Sequence, residues 1–337
     1  MAQVYNNFAQ VKTQLGRESS AGTPVAATVI WRGPFASLED ARTKVTVEEN
    51  IGLSVTAERT YTSQYLGRLA MPATELTFAQ VLHILEAGIK TATPSGANPY
   101  VYTYTLPTDN TVNTIKTYTI EMVPVVATSD YREMPYSFVE EFTFEGTAGE
   151  AWKMSANWVG QKLATGTATA LSTLQTGNDM IPAMMPMTKL YIDATGGTVG
   201  TTQKTGVLMG ASMRVRTGWV VVPIGDGNLY FQKIKFTKPE ITFSLTLELE
   251  QDVAASVVAA ERLIYEGDTV RLFQLLADGP SASQSLTLQW AGKYDRIGGY
   301  SNNNGNTTVM LEGHAVYSSA DALFWSCAVE NTLSTIP

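Results

Sequence analysis

Two stretches of this chain repeat one order of predicted secondary structure, and this duplication limits the folds that the chain can adopt. The first series runs from about Val45 to Leu163, and the second from about Lys189 to Leu333. In each, extended segments lead to one short amphipathic helix, within Leu76–Gly88 or Asp252–Gly267, and further extended segments follow. Both series close on a strand that contains tryptophan. A chain with two similar units needs half as many copies to close a ring of such units.

A period of two marks the extended segments as predicted β-strands. Tyr100–Leu106 and Ile241–Leu249 alternate their side chains and are rich in β-branched and aromatic residues, which strands favour. The other predicted strands are Thr117–Val125, Ser137–Gly146, Ala151–Leu163, Val270–Leu276, Ser285–Tyr294, Asn306–Ala315 and Ala322–Leu333. Two short helices among about a dozen strands predict a mainly β protein whose sheets carry a helix on one flank.

The two predicted helices have suitable ends and apolar faces. Thr77 and Gln80 have the spacing of a capping box, and Gly88 is a suitable stop. In the second helix, Asp252 is the predicted cap and Gly267 the predicted end. The predicted buried faces are Phe78, Val81, Leu82 and Leu85 in the first helix and Val253, Val257, Ala260 and Ile264 in the second.

The duplication predicts four parts: an N-terminal arm (1–44), a first β unit (45–163), a linker (164–188) and a second β unit (189–337). The arm is similar to neither series and is rich in glycine and proline. We expect it to lie on another surface, because Val29 and Trp31 would otherwise be exposed. The linker is expected to pack loosely. The alternative is that its segment Met180–Met187 contacts a neighbouring subunit through flexible methionine side chains.

Charge and hydropathy limit the possible partners. The formal net charge is −8, and the Lys and Arg residues are scattered rather than clustered. A protein that binds nucleic acid neutralises phosphates with a basic stripe, so nucleic-acid binding is disfavoured for this chain. The charge is still compatible with an acidic passage through which DNA slides. The chain begins without the pattern of a signal peptide and has no long apolar run. We therefore expect a protein that is made in the cytoplasm and does not span a membrane.

The histidines and the cysteine suggest no catalytic, cofactor or metal site. His83 lies in the first helix and His314 in a late strand, with no cluster of metal-ligating residues beside either. A structural role is therefore favoured for both. Cys327 alternates with Trp325 in an apolar strand, so we expect a buried thiol rather than a nucleophile.

The acidic pairs are also weak candidates for catalysis. Glu140 and Glu141 are adjacent in a strand, so we expect them to face opposite sides of the sheet. Glu248 and Glu250 share a face, and a solvated or lumen-facing row is favoured over a glycosidase-type acid/base pair. The remaining polar and glycine-rich stretches are interpreted as turns: Gly196-Gly197, Asp226-Gly227-Asn228, Gly298-Gly299 and Asn302–Asn306.

A short N-terminal segment resembles a known family. Gly16–Thr28 has the sequence GRESSAGTPVAAT. It resembles the opening Gly-x-Glu-x-x-x-Gly-Thr-x-x-Ala-Ala segment of tail tube proteins from long-tailed, non-contractile bacteriophages. The order of elements that follows is similar too, and the resemblance extends over most of the chain. It implies two tandem tail-tube-like units, each with two packed antiparallel β-sheets and one flanking α-helix.

The resemblance also implies a function. Rings of such units join their inner sheets into a β-barrel and stack into the tail tube of the virion, through which genomic DNA is ejected without specific binding. The implied partners are further copies of the chain and the tail terminator, tape measure and tail-tip proteins, with assembly in the host cytoplasm and no active site, cofactor or membrane. Rings of the family have sixfold or pseudo-sixfold character. Two units per chain therefore predict a homotrimeric, pseudo-hexameric ring, with a hexamer as the alternative.

The tube interpretation also predicts which surfaces contact the next ring and which face the lumen. Hairpins around Ala57–Tyr65 and Asp226–Asn228 would meet the next ring, with Tyr61, Tyr65, Trp219 and Tyr230 as candidate contacts. The lumen is expected to carry more acidic than basic side chains. The alternative function is a two-domain β-sandwich that binds carbohydrate or acts as an adhesin, in which exposed aromatic side chains would stack on sugar rings.

Overall fold

The computed structural model describes residues 10–34, 36–52, 54–55, 58–124, 131–165, 169, 171–249, 256–303 and 305–337. Its first half forms β1 (Val11–Arg17), β2 (Val29–Ile30), β3 (Ser37–Asp40), β4 (Thr43–Thr46), β5 (Thr60–Gln64), β6 (Gly67–Glu75), α1 (Val81–Gly88), β7 (Tyr100–Thr105), β8 (Tyr118–Pro124), β9 (Arg132–Thr147) and β10 (Lys153–Gly160). Its second half forms β11 (Thr188–Ala194), β12 (Gln203–Lys204), β13 (Leu208–Arg216), β14 (Trp219–Val222), β15 (Lys233–Phe236), β16 (Glu240–Glu248), α2 (Val257–Glu266), β17 (Arg271–Asp278), β18 (Ser285–Asn303), β19 (Asn306–Ala315) and β20 (Trp325–Asn331). The predicted mainly β class is confirmed, and the strand pairs are antiparallel.

One large sheet dominates the described residues. Its strands follow the order β12–β11–β17–β18–β19–β16–β13–β9–β10–β6–β3. Off this path, β1 pairs with β2 and β8, β8 pairs with β9, and β20 pairs with β18 and β7. The hairpins β4–β5 and β14–β15 form two separate two-stranded sheets.

The strand pairs of the first half recur in the second half. The pairs β1–β2, β1–β8, β8–β9, β9–β10, β10–β6, β6–β3 and β4–β5 have as counterparts β11–β12, β11–β17, β17–β18, β18–β19, β19–β16, β16–β13 and β14–β15. Strands β7 and β20 have no counterpart in this scheme, and they pair with each other. The expectation that both series close on corresponding tryptophan-containing strands is therefore wrong, because β10 corresponds to β19 and not to β20. The two sets of strands meet at β9–β13 and at β7–β20–β18.

The predicted N-terminal arm is part of this scheme. Strand β1 pairs with β8 along its whole length, Val11–Arg17, and β3 pairs with β6. Leu15, Val29 and Trp31 are buried within their own chain. The expectation that this segment lies on another surface is therefore corrected for its described residues. Sequence comparison of the halves missed it because β1–β2 corresponds to β11–β12 in pairing but not in sequence.

The helices differ in detail from the sequence prediction. Thr77 accepts a hydrogen bond from Gln80 N as predicted, but this bond closes a turn, and α1 begins at Val81. In α2, Ser256 caps the helix by accepting from Ala259 N, while the predicted Asp252 and Val253 lie outside the described residues. The predicted face of α2 is confirmed in part, because Val257 and Ile264 are partly buried against the core. Ala260 is exposed, and the residues that α2 buries are Val258 and Glu261.

Apolar side chains on one face of the large sheet form the main core. Leu69, Phe142, Met213, Phe243 and Leu311 come from neighbouring strands and are all buried. Helix α1 covers this face beside β9 and β7, and α2 packs beside β18. The opposite face of the same strands carries mostly polar residues, as expected of a sheet with one solvated side. The exception is the end of the β9–β10 pair, where Phe138 and Val159 pack in a small second core.

Candidate functional site

The polar face of the large sheet is the first candidate surface. We use this name for the outward side chains of β6, β10, β9, β13, β16 and β19. Its acidic members are Glu75, Glu140, Glu141, Glu145, Glu240, Glu248 and Glu312, and its basic members are Arg68, Lys153, Arg214 and Arg216. Carboxylates therefore outnumber cationic groups among the described residues of this face.

A β-bulge brings Glu140 and Glu141 to the same face. In the β9–β10 ladder, Asn157 is opposite Glu141 while Trp158 is opposite Val139, so Glu140 is the extra residue. Both carboxylates line one cleft on the polar face. The expectation that they point to opposite sides is wrong, because a bulge re-aims the side chain of the inserted residue.

Arginine side chains neutralise these two carboxylates. Arg214 and Arg216 lie 2.7 and 3.1 Å from Glu141 Oε2, and Arg68 lies 3.2 Å from Glu140 Oε2. Burial acts to raise the pKa of Glu141, but the hydrogen bonds from the two arginines outweigh it and hold that pKa below its usual value. A carboxylate held in its charged form is a poor general acid, so this cleft offers a charged surface rather than an acid/base pair.

The junction between β9 and β13 joins the two sets of strands within the chain. Seven residue pairs connect the strands, from Gly210 opposite Thr147 to Arg216 opposite Glu141. The ion pairs from Glu141 to Arg214 and Arg216 cross this junction. A continuous backbone ladder with charged side chains above it therefore joins the strands of the first half to those of the second half.

Several strands of the large sheet have an edge without a partner strand among the described residues: β2, β7 and β12 each pair with one strand only, and so do β3 and part of β18. Strand β3 pairs only with β6, so its outer edge is open. The second half of β18, from Arg296 to Asn303, pairs only with β19, and Tyr300 in it is 65% exposed. Open edges present unpaired backbone groups that favour pairing with another chain.

Each helix also buries a carboxylate, and these groups have structural roles. Glu86 in α1 accepts hydrogen bonds from Arg17 and from Tyr118 Oη at 2.6 and 2.9 Å. Glu261 in α2 accepts them from Arg271 and from Tyr294 Oη at 3.3 and 3.0 Å. Burial first, then the adjacent carboxylate, raises the pKa of each tyrosine well above its usual value. Both hydroxyls therefore remain donors that hold the helix on its sheet.

The segment that carries the family resemblance closes a corner of the fold. The Glu18 carboxylate accepts hydrogen bonds from Gly22 N at 2.8 Å and Tyr136 N at 2.8 Å, and also from the hydroxyls of Thr117 and Thr119. Gly22 has a φ of +78°, which favours glycine. The motif residues thus fix the turn between β1 and β2.

The second half closes its corresponding turn in a similar way. Asp193 near the end of β11 accepts hydrogen bonds from Gly200 N, Thr201 N and Thr202 N. Gly200 has a φ of +85°, like Gly22 in the first half. The turns after β1 and β11 therefore share an acidic residue that binds backbone amides, although their sequences differ.

The predicted hairpins are present in part. Strands β14 and β15 pair, and Asp226-Gly227-Asn228 lies in their connection. Strands β4 and β5 pair as well, whereas Ala57 lies outside the described residues. Tyr61 is 54% exposed, but Trp219 is buried against Phe231 and Phe236. The prediction that Trp219 contacts the next ring is therefore wrong, because its ring fills the small core beneath its own hairpin.

The remaining candidates are separate from one another. His83 is buried, with Nδ1 3.2 Å from Tyr118 Oη, and His314 is partly exposed, with Nδ1 2.7 Å from Asp295 Oδ1. Cys327 is buried in the core as expected, and burial raises the pKa of its thiol. Glu248 lies on the polar face, while Glu250, which was expected on the same face, lies outside the described residues.

The connector between the halves is packed into the fold at several points. Ala164 pairs with Glu133 of β9, and Ala183 N donates to Leu76 O. Asp179, in the 3-10 helix Asn178–Met180, is buried and accepts hydrogen bonds from Gln284 and Thr332. Met184 and Met187 are partly exposed, at 36% and 42%. Much of the segment therefore packs more tightly than the predicted loose linker.

Within the described residues, no helix is long and apolar enough to cross a membrane, and no three metal-ligating side chains come together. No protein-family model matches the chain, and no curated protein matches it. Function is therefore inferred from the surfaces of the chain itself.

Proposed function

We propose that this chain is a tail tube protein that polymerises into stacked rings and forms the conduit for phage DNA. The observation that carries the proposal is the β9–β13 junction. The same strand pairs occur twice, they are joined edge to edge inside the chain, and an open edge remains at β3 and at β18. A repeated unit with a head-to-tail contact closes into a ring when the rotation closes.

In this proposal the two halves are tandem tail-tube-like units. Each contributes two packed antiparallel layers and one flanking helix to a ring of sheets. With two units per chain, three chains supply the six units of a pseudo-hexameric ring, and six chains are the alternative. Ring closure also removes the open edges, which are an aggregation hazard in a free monomer.

The polar face suits the lining of a DNA passage. Carboxylates outnumber basic groups there, and the described arginines form ion pairs, Arg68 with Glu140, Arg214 and Arg216 with Glu141, and Arg216 with Glu240. Arginine held by a carboxylate is less available to a phosphate, and surplus negative charge repels DNA. Such a lining lets DNA slide without holding it.

The proposal places the protein in the tail of the virion, and its partners there would be copies of itself and the tail terminator, tape measure and tail-tip proteins. No enzymatic step is assigned to it. The rival proposal is a carbohydrate-binding or adhesin module. Its candidate stacking residues, Tyr61, Tyr300 and Tyr317, are exposed but belong to β5, β18 and the segment after β19.

Negative-stain electron microscopy over a series of protein concentrations tests the proposal. Rings or hollow tubes at high concentration are expected, and native mass spectrometry of isolated rings then gives the number of chains. Three chains support the pseudo-hexamer, and six show that only one half of each chain forms the ring. A protein that stays monomeric at every concentration but binds to a glycan array would support the rival function instead.

A further inference from the structure

The β-bulge in β9 has a counterpart in β18. Glu140 is the extra residue of β9 opposite β10, and Asp295 is the extra residue of β18 opposite β19, where Tyr294 faces Gly313 and Arg296 faces Glu312. Because β9–β10 and β18–β19 are corresponding pairs, the two bulges align the strands residue by residue. Glu141 in β9 then corresponds to Arg296 in β18.

The same alignment extends across the sheet to β3. Trp158 corresponds to Gly313, and these residues lie opposite Leu69 in β6 and Phe243 in β16. Leu69 and Phe243 in turn lie opposite Leu38 in β3 and Met213 in β13. One residue after Leu38 and Met213, Glu39 in β3 corresponds to Arg214 in β13. Two residues later, Ala41 corresponds to Arg216.

The two alignments relate the open edges of β3 and β18 to the β9–β13 junction. Strand β9 has β13 on its outer edge, with Arg216 opposite Glu141 and Arg214 opposite Thr143. The counterpart of β9 is β18, whose second half is open, and the counterpart of β13 is β3, whose outer edge is open. The chain thus contains both halves of a second junction, located at two different edges of the sheet.

We propose that β3 of one chain pairs antiparallel with the second half of β18 of a second copy, in the register that places Ala41 opposite Arg296 and Glu39 opposite Gly298. This contact repeats between chains the geometry of the β9–β13 junction within the chain. It rests on the proposed tube function and identifies the strands that close the ring.

Charge complementarity supports a second copy as the occupant of these edges. At the internal junction, acidic Glu141 on β9 pairs with basic Arg214 on β13 at 2.7 Å. At the open edges the signs are exchanged, with basic Arg296 on β18 and acidic Glu39 on β3. The Arg296 side chain is 70% exposed, and its 3.5 Å contact with Glu312 is long for an ion pair. Its guanidinium can therefore also bind a carboxylate of a second copy. The exchanged signs also disfavour wrong pairing of two β3 edges or two β18 edges, since each would place like charges together.

Charge exchange at this pair is the first test. Glu39→Arg and Arg296→Glu should each raise the concentration needed for assembly by roughly fivefold or more, because like charges across a strand pair repel. The double variant Glu39→Arg/Arg296→Glu should assemble close to the wild-type concentration. Glu75→Arg, an acidic-to-basic change on the same face but away from both edges, is the matched control and should leave the concentration within about twofold.

Disulfide trapping tests the register. Ala41→Cys/Arg296→Cys under a mild oxidant should give covalent multimers on a denaturing gel, ending at the size of one ring. Each single cysteine variant is the control and should stay predominantly unlinked. The native Cys327 is buried and does not compete.

The outcomes separate this inference from the proposed function. Tubes that form normally without cross-links, and that ignore both charge reversals, would overturn the β3–β18 contact while leaving the tube function standing. Cross-linked rings without stacked tubes would support the contact and contradict the tube. A chain that neither cross-links nor assembles at any concentration contradicts both.

Discussion

Mild acid is expected to destabilise this fold through His83. Its imidazole is fully buried, and burial first, then the nearby Arg17 guanidinium, lowers the pKa of His83 from 6.5 to about 3. Between these values the unfolded chain binds a proton at His83 and the folded chain does not. The free energy of unfolding therefore carries no penalty from His83 well above pH 6.5, and it decreases as the pH falls from 6.5 towards 3.

The size of the effect follows from this difference in pKa. Between about pH 7 and about pH 5, the unfolded-state histidine changes from mostly neutral to mostly charged, while the buried one stays neutral. The free energy of unfolding should then fall by about 2 kcal/mol. The titratable groups that pack around His83 are Glu86 on α1, Tyr118 on β8 and Arg17 on β1.

Urea unfolding followed by tryptophan fluorescence at these two pH values measures the loss. The comparison protein is His83→Gln, which keeps a polar side chain beside Tyr118 and removes the titrating group. Other ionisable groups contribute similarly in both proteins, so the difference isolates His83. The wild type should lose about 2 kcal/mol more than the variant. Equal losses in the two proteins would refute the reasoning.

Three further substitutions test the structural roles derived above. Gly16→Ala would place a Cβ 2.6 Å from the backbone oxygen of Ala26, so the melting temperature should fall in line with a loss of about 1–3 kcal/mol; an unchanged value contradicts the close approach. Glu18→Gln turns an amide donor towards the groups that donate to the carboxylate, and urea unfolding should show a loss of about 2–3 kcal/mol. Trp219→Ala should remove about 3–5 kcal/mol and change the near-ultraviolet circular dichroism, whereas a negligible loss would mean that the hairpin core is dispensable.

Strands with regular alternation could be predicted from the sequence because their period is local. The segment Asn306–Ala315 was predicted with both ends as found, and Tyr100–Leu106 differs from β7 by one residue. Strand β18 was predicted to stop at Tyr294 but continues to Asn303. Its second half has bulges at Asp295 and at Gly298-Gly299, which break the period of two. Irregular strands depend on their partner strand, and a single sequence does not display that partner.

The candidate surfaces were less accessible to sequence reasoning. A surplus of acidic residues predicts little about which of them share a face, and the bulge at Glu140 reversed the expectation for Glu140 and Glu141. The same holds for α2, where Glu261 is buried because Arg271 and Tyr294 bind it. Polarity predicts exposure only when no distant partner is present. The predicted turn at Gly298-Gly299 is also wrong, because these glycines form a bulge inside β18.

Truncation of the N-terminal segment tests whether this segment is part of the first half of the fold. A free arm would be removed with little effect on the fold, yet Leu15, Trp31 and Arg17 are integrated into the first half. Deleting residues 1–34 removes β1 and β2 and leaves Glu86 buried without its Arg17 partner, and loss of one member of a buried ion pair alone costs about 3–5 kcal/mol.

The truncated protein should therefore lose cooperative unfolding and near-ultraviolet circular dichroism, and any failure to assemble would follow from a damaged fold. Arg17→Met is the companion variant, because it keeps the length of β1 and removes only the guanidinium, with its ion pair to Glu86 and its hydrogen bond to Ile336 O. It should retain a cooperative transition at lower urea concentration. A truncated protein with native circular dichroism and wild-type stability would show that β1 contributes nothing to the first half, and the correspondence between β1–β2 and β11–β12 would then have no energetic meaning.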